Sequence, residues 1–280
     1  MMKGIVATDL DGTLFNSSNK ISKTDLKTLN YLKYNGFVRV IATGRSMYSL
    51  NKATSANLPI DYVVFSSGAG VYDWKQKKVI YSTNLSPDET KMSFEKLVQY
   101  QIDFSIQNKI PENHRYEYLK KKHNSNPDFE RRNQLYTNFS SEITVEEFVA
   151  KESCQLLAIT EKEKGLKMIE ELSLSLSDLK IIRSTSPIDN KSLWIEIFSK
   201  NVSKASGLDY LANLLNIDSK KVMAIGNDYN DIDMLKWAEK SFVVENAPVD
   251  IKRNFKVVGS HNNSGFSEAV EIWLTSNSLI

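Results

Sequence analysis

Short apolar runs alternate along this chain with stretches in which apolar residues recur every three or four positions. Residues 3–8 (KGIVAT), 37–43 (FVRVIAT) and 62–67 (YVVFSS) read as buried strands, two of them rich in β-branched residues. Residues 22–35 read as a helix with Leu26, Leu29 and Leu32 on one face, Ser22 placed to cap it and Gly36 placed to end it. A second helix is expected over 46–56. Such alternation predicts a parallel sheet covered on both faces by helices.

The middle of the chain has another rhythm. Hairpin-like segments at 70–83 precede a helix opened by Ser86-Pro87-Asp88-Glu89 and running to about Tyr100. Residues 101–150 are polar, with a basic run at Lys120 to Lys122 and a pair at Arg131-Arg132. Strands are expected at 154–160, 179–184 and 192–199, with a helix over 161–177. The first pattern then returns, with a helix at 205–215, strands at 222–226 and 242–246, and helices at 229–239 and 267–275. The expected organisation is an α/β core built from both chain ends, residues 1–83 and 191–280, with a second α+β domain inserted over 84–190.

Composition narrows the class. The chain has 280 residues, 41% hydrophobic and 25% charged, with a formal net charge of +2. These are values of an ordinary globular protein, with no bulk field that would draw it to nucleic acid or a membrane. No stretch reaches the roughly 18 apolar residues of a spanning helix, and the N-terminal run meets Asp9 too early for a signal peptide. A cytoplasmic protein is expected. The single cysteine, Cys154, can make neither an internal disulfide nor a thiolate zinc site and reads as a small buried hydrophobe.

The chemistry gathers just after predicted strands and at helix starts. DLDGT follows the first strand, with Asp9 and Asp11 two residues apart and Gly12 permitting a turn. ATGR follows the second strand and offers Thr43, Gly44 and Arg45 as an anion cradle at a helix start. Lys204 opens a predicted helix, and the strand VMAIG runs into Asn227, Asp228, Asn230, Asp231 and Asp233. Carboxylates crowded at a strand end are costly unless a cation sits among them. The order of acid pair, hydroxyl, lysine and acid cluster suits a metal ion together with a phosphoryl group.

Those four stations, DLDGT, TGR, VSKASGL and GNDYNDIDML, resemble the four motifs of the haloacid dehalogenase-like (HAD) phosphatases. The inserted domain and the NDIDML ending are similar to the Cof-type, type IIB sugar-phosphatase-like branch. The resemblance implies a Rossmann-like, doubly wound core with a cap that closes over it and selects the leaving group. It implies Asp9 as nucleophile, Asp11 as general acid and base, and Thr43, the Gly44-Arg45 backbone, Lys204 and Asn230 around the phosphoryl group. It implies Mg²⁺ held by Asp9, Asp11 and the fourth motif, with Asp231 orienting Lys204 and metal waters.

Two departures stand out. The fourth motif usually begins Gly-Asp, whereas here Asn227 precedes Asp228, so either could meet the metal, and weaker Mg²⁺ binding is expected. Ser67 stands where relatives usually carry Asn, near the substrate entrance. The basic residues Lys120 to Lys122, Arg131 and Arg132 read as a solvated helix face, and Tyr116, Tyr118 and Tyr136 as packing aromatics. The leading expectation is a Mg²⁺-dependent phosphomonoester hydrolase for a small phosphorylated metabolite, a sugar or sugar-alcohol phosphate, with FMN or pyridoxal phosphate also suited; no nucleic acid, membrane or obligate protein partner is expected. A phosphomutase or other phosphotransferase is the second reading, because Asp11 serves both. A phospholigand-binding regulatory protein without turnover is the third, and Asn227 is its support.

Overall fold

The computed structural model describes residues 2–121, 125–186, 188–189 and 191–276. The chain divides into two compact units, Met1–Tyr81 with Ser203–Ile280, and Ser82–Val202.

In the first unit, strands β1 (Gly4–Thr8), β2 (Phe37–Ala42) and β3 (Tyr62–Phe65) alternate with helices α1 (Lys23–Tyr34) and α2 (Met47–Ala53), followed by β4 (Gly70–Asp73) and β5 (Lys78–Ser82). Ser22 caps α1 by accepting the Asp25 N–H, and Gly36 follows its end with φ 79°, a conformation open to glycine.

The second unit holds α3 (Pro87–Gln99), β6 (Phe104–Asn108), β7 (Tyr116–Leu119), α4 (Pro127–Leu135), β8 (Ser140–Glu142), β9 (Ser153–Thr160), α5 (Lys162–Ser175), β10 (Leu179–Thr185) and β11 (Leu193–Ser199). The first unit resumes with α6 (Lys204–Leu214), β12 (Val222–Gly226), α7 (Ile232–Trp237), β13 (Lys240–Val244), α8 (Val249–Lys252), β14 (Lys256–Val258) and α9 (Gly265–Ser276).

The first unit's sheet has the order β14-β13-β12-β1-β2-β3-β4-β5 among the described residues. It is parallel from β14 to β3, and β4 then pairs antiparallel with β3. Strands β1, β2 and β12 are buried along their whole length, which is why they read as continuous apolar runs. One face packs Ile5, Ala7, Val40 and Ala224 against Leu208 and Leu211 of α6 and Met234 and Leu235 of α7. Helix α1 packs on β2 and α9, with Phe37 meeting Trp273 edge to face at 5.3 Å. The sheet reverses its winding at β1, whose neighbours are β12 on one side and β2 on the other. Sheets of this kind bind ligands in the crevice beyond the carboxyl ends of the strands at that point.

The second unit is a sheet in the order β10-β11-β9-β6-β7-β8, mostly antiparallel. Leu156, Ala158, Ile195 and Ile197 pack with Phe94 and Leu97 of α3 and Met168 and Leu172 of α5; Leu157 and Ile159, on the alternate face, pack with Phe129 of α4. One expectation is corrected here. Residues 191–202 belong to this unit and not to the first, because β11 is bonded to β10 along its full length and to β9 on its other side. The stretch 101–150 carries β6, β7, α4 and β8, whose polar and aromatic residues hid them.

Arg132 is likewise not on a solvated face. It is buried with its guanidinium 4.2 Å from the centre of the Tyr116 ring and an N–H on Ser105 Oγ. Lys120 pairs with Glu130 at 3.0 Å, and Lys122 lies outside the described residues. Cys154 is buried in β9. Among the described residues, no helix is long and apolar enough to cross a membrane.

Gly207 lets α6 lie against β3: a Cβ there would stand 2.4 Å from Val64 Cγ1. Gly207→Ala is expected to destabilise the chain by about 1–3 kcal/mol, the usual cost of overpacking a stiff core. With Val64→Ala the double variant is expected to be more stable than the two single changes added together, which urea unfolding of the four proteins measures.

Candidate functional site

Three adjacent parallel strands deliver the chemistry to one rim. Asp9 follows β1, Thr43 follows β2 and Asn227 follows β12. Their ends are level, since Thr8 is in register with both Ile41 and Ile225. The Asp9 N–H donates to the Ile225 carbonyl and the Thr43 N–H to that of Val64, so each functional residue leaves its strand from a fixed point.

Lys204 is the first residue of α6, whose start is fixed by a reciprocal cap between Ser203 and Ser206. Its side chain is fully buried, with Nζ donating to Asp9 Oδ1 at 2.7 Å and to Asp231 Oδ1 at 2.6 Å. The other Asp231 oxygen accepts the backbone N–H groups of Asn227 and Asp228 at 2.8 and 2.9 Å. Asp231 therefore holds the lysine with one oxygen and the start of the fourth motif with the other. Gly226 makes room for it, since a Cβ there would lie 2.5 Å from its carboxyl carbon.

One ammonium thus serves two buried carboxylates. Burial pushes Asp9 up to about 7 despite the pull of Lys204, and the charges of Asp231 and Asp11 push the same way. Burial alone would lower Lys204, but Asp231 and Asp9 outweigh it and raise the lysine above its ordinary value.

Asp11 has different partners. Its carboxylate takes a two-pronged pair from Arg45, with Nε to Oδ2 at 2.7 Å and Nη2 to Oδ1 at 2.6 Å, and Arg45 Nη1 also donates to Ser49 Oγ. The sequence pointed to Arg45 for its backbone; the structure uses its side chain. Its N–H donates to Thr43 Oγ1 at 3.1 Å. Helix α2, at 7 residues, is also shorter than expected and is capped by Ser46, so it adds little dipole.

Gly44 lies between two side chains, as a Cβ there would be 3.5 Å from Ser67 Oγ and 3.7 Å from Asn230 Nδ2. Asn230 is thereby brought from the fourth motif to the second. Its side chain hydrogen-bonds to none of the described residues.

The strand expected over 62–67 ends at Phe65, and a turn replaces its last two residues. Ser66, Ser67 and Gly68 have φ of 47°, 55° and 106°, three successive left-handed residues. The Ser66 and Ser67 N–H groups grip the carbonyls of Arg45 and Thr43. A Cβ on Gly68 would come within 1.9 Å of the Ser203 carbonyl oxygen, so this turn also abuts the start of α6. The SSG triplet was its one visible signal.

The fourth motif presents Asn227 to the first. Asn227 Oδ1 accepts from Thr13 Oγ1 at 3.1 Å, and its Nδ2 would be 2.8 Å from a Cβ on Gly12, which turns with φ 75°. A hard cation fits the donor chemistry: the Asp9 carboxylate, the Asp11 carbonyl and the Asn227 amide all offer oxygen atoms. Burial above all, with the charges of Asp231 and Asp11, makes the Asp9 carboxylate costly, and such a cation would relieve that cost. Among the described residues, no three His, Cys, Asp or Glu side chains form a ready cage, so amide and carbonyl oxygens would share the work.

A titration follows from Asp9. Its folded value of about 7 exceeds the unfolded 3.8, so the folded chain binds the proton more tightly. Stability contributed by this group is therefore lost as pH rises from about 4 to 7. In EDTA, urea unfolding of Asp9→Asn is expected to lack this component, so the wild type loses ground to the variant as pH rises; parallel profiles would remove the assignment. Lys204→Met leaves two buried carboxylates with no ammonium and is expected to cost about 3–5 kcal/mol at neutral pH by the same measurement.

A sequence profile described as haloacid dehalogenase-like hydrolase matches residues 6–270. A protein of Buchnera aphidicola subsp. Schizaphis graminum named "Putative phosphatase" is 28% identical over 281 residues, covering 99% of this chain and 96% of its own. BT1666, a HAD-superfamily phosphatase of Bacteroides thetaiotaomicron, shares the fold with a TM-score of 0.75 at 24% identity, covering 100% of this chain and 96% of that one. The HAD subclass IIB sugar phosphatase BT4131 does so at 0.76 and 21%, covering 99% and 100%. With a family profile spanning nearly its whole length, the chain belongs to the haloacid dehalogenase-like hydrolases.

Proposed function

We propose that this chain is a Mg²⁺-dependent phosphomonoester hydrolase that works through an aspartyl-phosphate on Asp9, with a small phosphorylated metabolite as substrate. The observation that carries the reading is the buried Asp9–Lys204–Asp231 chain at the sheet's switch point. It fixes a carboxylate at the rim and supplies a cation beside it, which is what attack on a phosphoryl group requires. The relatives named as phosphatases support the same reading.

Asp9 attacks phosphorus, and the bond to the leaving oxygen breaks as Asp11 gives that oxygen a proton. Water then attacks the phosphorus of the aspartyl-phosphate, passes a proton to Asp11 and restores Asp9, releasing inorganic phosphate. To act as the acid, Asp11 leaves its pair with Arg45 and takes up a proton from solvent, and the proton it later receives from water restores that form. Thr43, just past β2, and Asn230, in the turn after β12, hold the non-reacting oxygens, and Lys204 balances first the Asp9 carboxylate and then the phosphoryl charge. Asp9, the Asp11 carbonyl and Asn227 are the residues proposed to hold Mg²⁺, which when bound neutralises the phosphoryl oxygens so that a carboxylate can approach them. Asn227 is preferred to Asp228 because its side chain lies on the Gly12-Thr13 turn. The substrate is proposed to be a sugar or sugar-alcohol phosphate.

Phosphate release is tested on sugar phosphates, sugar-alcohol phosphates, FMN and pyridoxal phosphate, with and without Mg²⁺. Asp9→Asn is expected to lower Mg²⁺-dependent release by at least about 10³-fold. Phosphoryl transfer to an added alcohol without release would make the chain a phosphotransferase, and ligand binding without either would make it a regulatory binder. Asn227→Asp adds a negative ligand and is expected to lower the Mg²⁺ concentration for half-maximal rate; an unchanged value would move the ligand to Asp228.

A further inference from the structure

Gly12 lies between Asp11 and Thr13, and nothing in its own geometry is stiff: it is a glycine with φ 75°. The carbonyl of this glycine accepts a hydrogen bond from Asn246 Nδ2 at 2.8 Å. Asn246 stands two residues beyond β13, and β12 lies between β13 and β1, so its side chain reaches across the end of a whole strand to make this contact. It passes close to Asn227: a Cβ on Gly12 would be 2.8 Å from Asn227 Nδ2 and 3.8 Å from Asn246 Nδ2.

The orientation of the Asn246 amide is chemically fixed. Its Oδ1 accepts the backbone N–H of His261 at 3.1 Å, and a backbone N–H can only donate, so the NH₂ end must face Gly12. The same distal segment ties down the far end of the loop. Asn262 Oδ1 accepts the Ser17 N–H at 3.0 Å, Asn262 Nδ2 donates to Ser17 Oγ at 2.9 Å, and His261 Nε2 lies 3.0 Å from that hydroxyl. The loop that carries Asp11 is therefore held at Gly12 by Asn246 and at Ser17 by His261 and Asn262, and the Asn246–His261 hydrogen bond joins the two holds.

We infer that Asn246 is a positioning residue for the proposed cation site: it clamps the Gly12 peptide so that the Asp11 carbonyl and the Thr13–Asn227 contact keep their places. The inference rests on the proposed roles of Asp11 and Asn227. Asn246 touches neither substrate nor reacting atoms in this account; it acts by removing the freedom that glycine would otherwise leave in the turn.

The test uses the full chain, with Mn²⁺ as the probe. Mn²⁺ affinity is measured by titration without any phosphoester, and amide exchange of residues 10–17 is followed in the metal-free protein. Asn246→Ala is expected to weaken Mn²⁺ binding about 10-fold, to speed exchange in 10–17, and to lower kcat with KM for the phosphoester unchanged. Asn254→Ala, which removes an exposed hydrogen bond to the Asp250 carbonyl, is the comparison and is expected to do none of these. Mn²⁺ binding within twofold of wild type in Asn246→Ala, or equal weakening in Asn254→Ala, overturns the inference. A wild type that takes up no Mn²⁺ overturns the proposed cation site instead; unchanged exchange in 10–17 then overturns the clamp, and faster exchange sustains it.

Discussion

The buried ammonium of Lys204 is the contact on which this site depends. Two carboxylates, Asp9 and Asp231, converge on it out of reach of solvent. A buried ion pair contributes modestly to stability, but removing one partner leaves a charge that water cannot reach. The arrangement therefore acts as a constraint: β1, β12 and the first turn of α6 must all be in place together for any of the three charges to be tolerated. Gly226, Gly68 and Gly207 are the concessions that let backbone and side chains approach closely enough.

That constraint also explains the division of labour between the acids. Asp231 has its oxygens committed to Lys204 and to the Asn227 and Asp228 amides, which makes it a fixed strut. Asp9 is anchored through one oxygen and sits where burial and its acidic neighbours make its charge costly, so it gains most from an added cation. Asp11 lies nearer the surface, where its partner is an arginine that is itself partly exposed. Three aspartates of one chemical type thus have three environments, and their proposed roles follow from those environments and not from their identity.

Much of this was legible in the sequence because the first unit follows simple rules. Strands buried on both faces appear as unbroken apolar runs, and ligand residues sit just past their ends, so Asp9, Thr43 and the fourth motif could be placed in order before any coordinates. Lys204 gained meaning only from that order. The second unit was harder to read. Tyr116 and Tyr118 in β7 and Arg132 in α4 make a polar-looking stretch, yet Arg132 is buried against a ring. The 191–202 segment could not be assigned by pattern, since the partners of β11 are strands distant in sequence. For the same reason neither the Arg45–Asp11 pair nor the Asn246–Gly12 contact had a local signal; the latter joins residues separated by 234 positions.

The interruption of the first unit by the second has a consequence for how the chain is made. β1 emerges early, but one of its sheet neighbours, β12, and the lysine that neutralises Asp9 come later, with 195 positions between Asp9 and Lys204. The inserted unit is continuous in sequence and can complete its own sheet as it leaves the ribosome. The first unit cannot, because its central strand waits for a distant partner and its rim acid waits for its ammonium. The site is therefore assembled in a late, long-range closure, after every residue between its two halves has been synthesised.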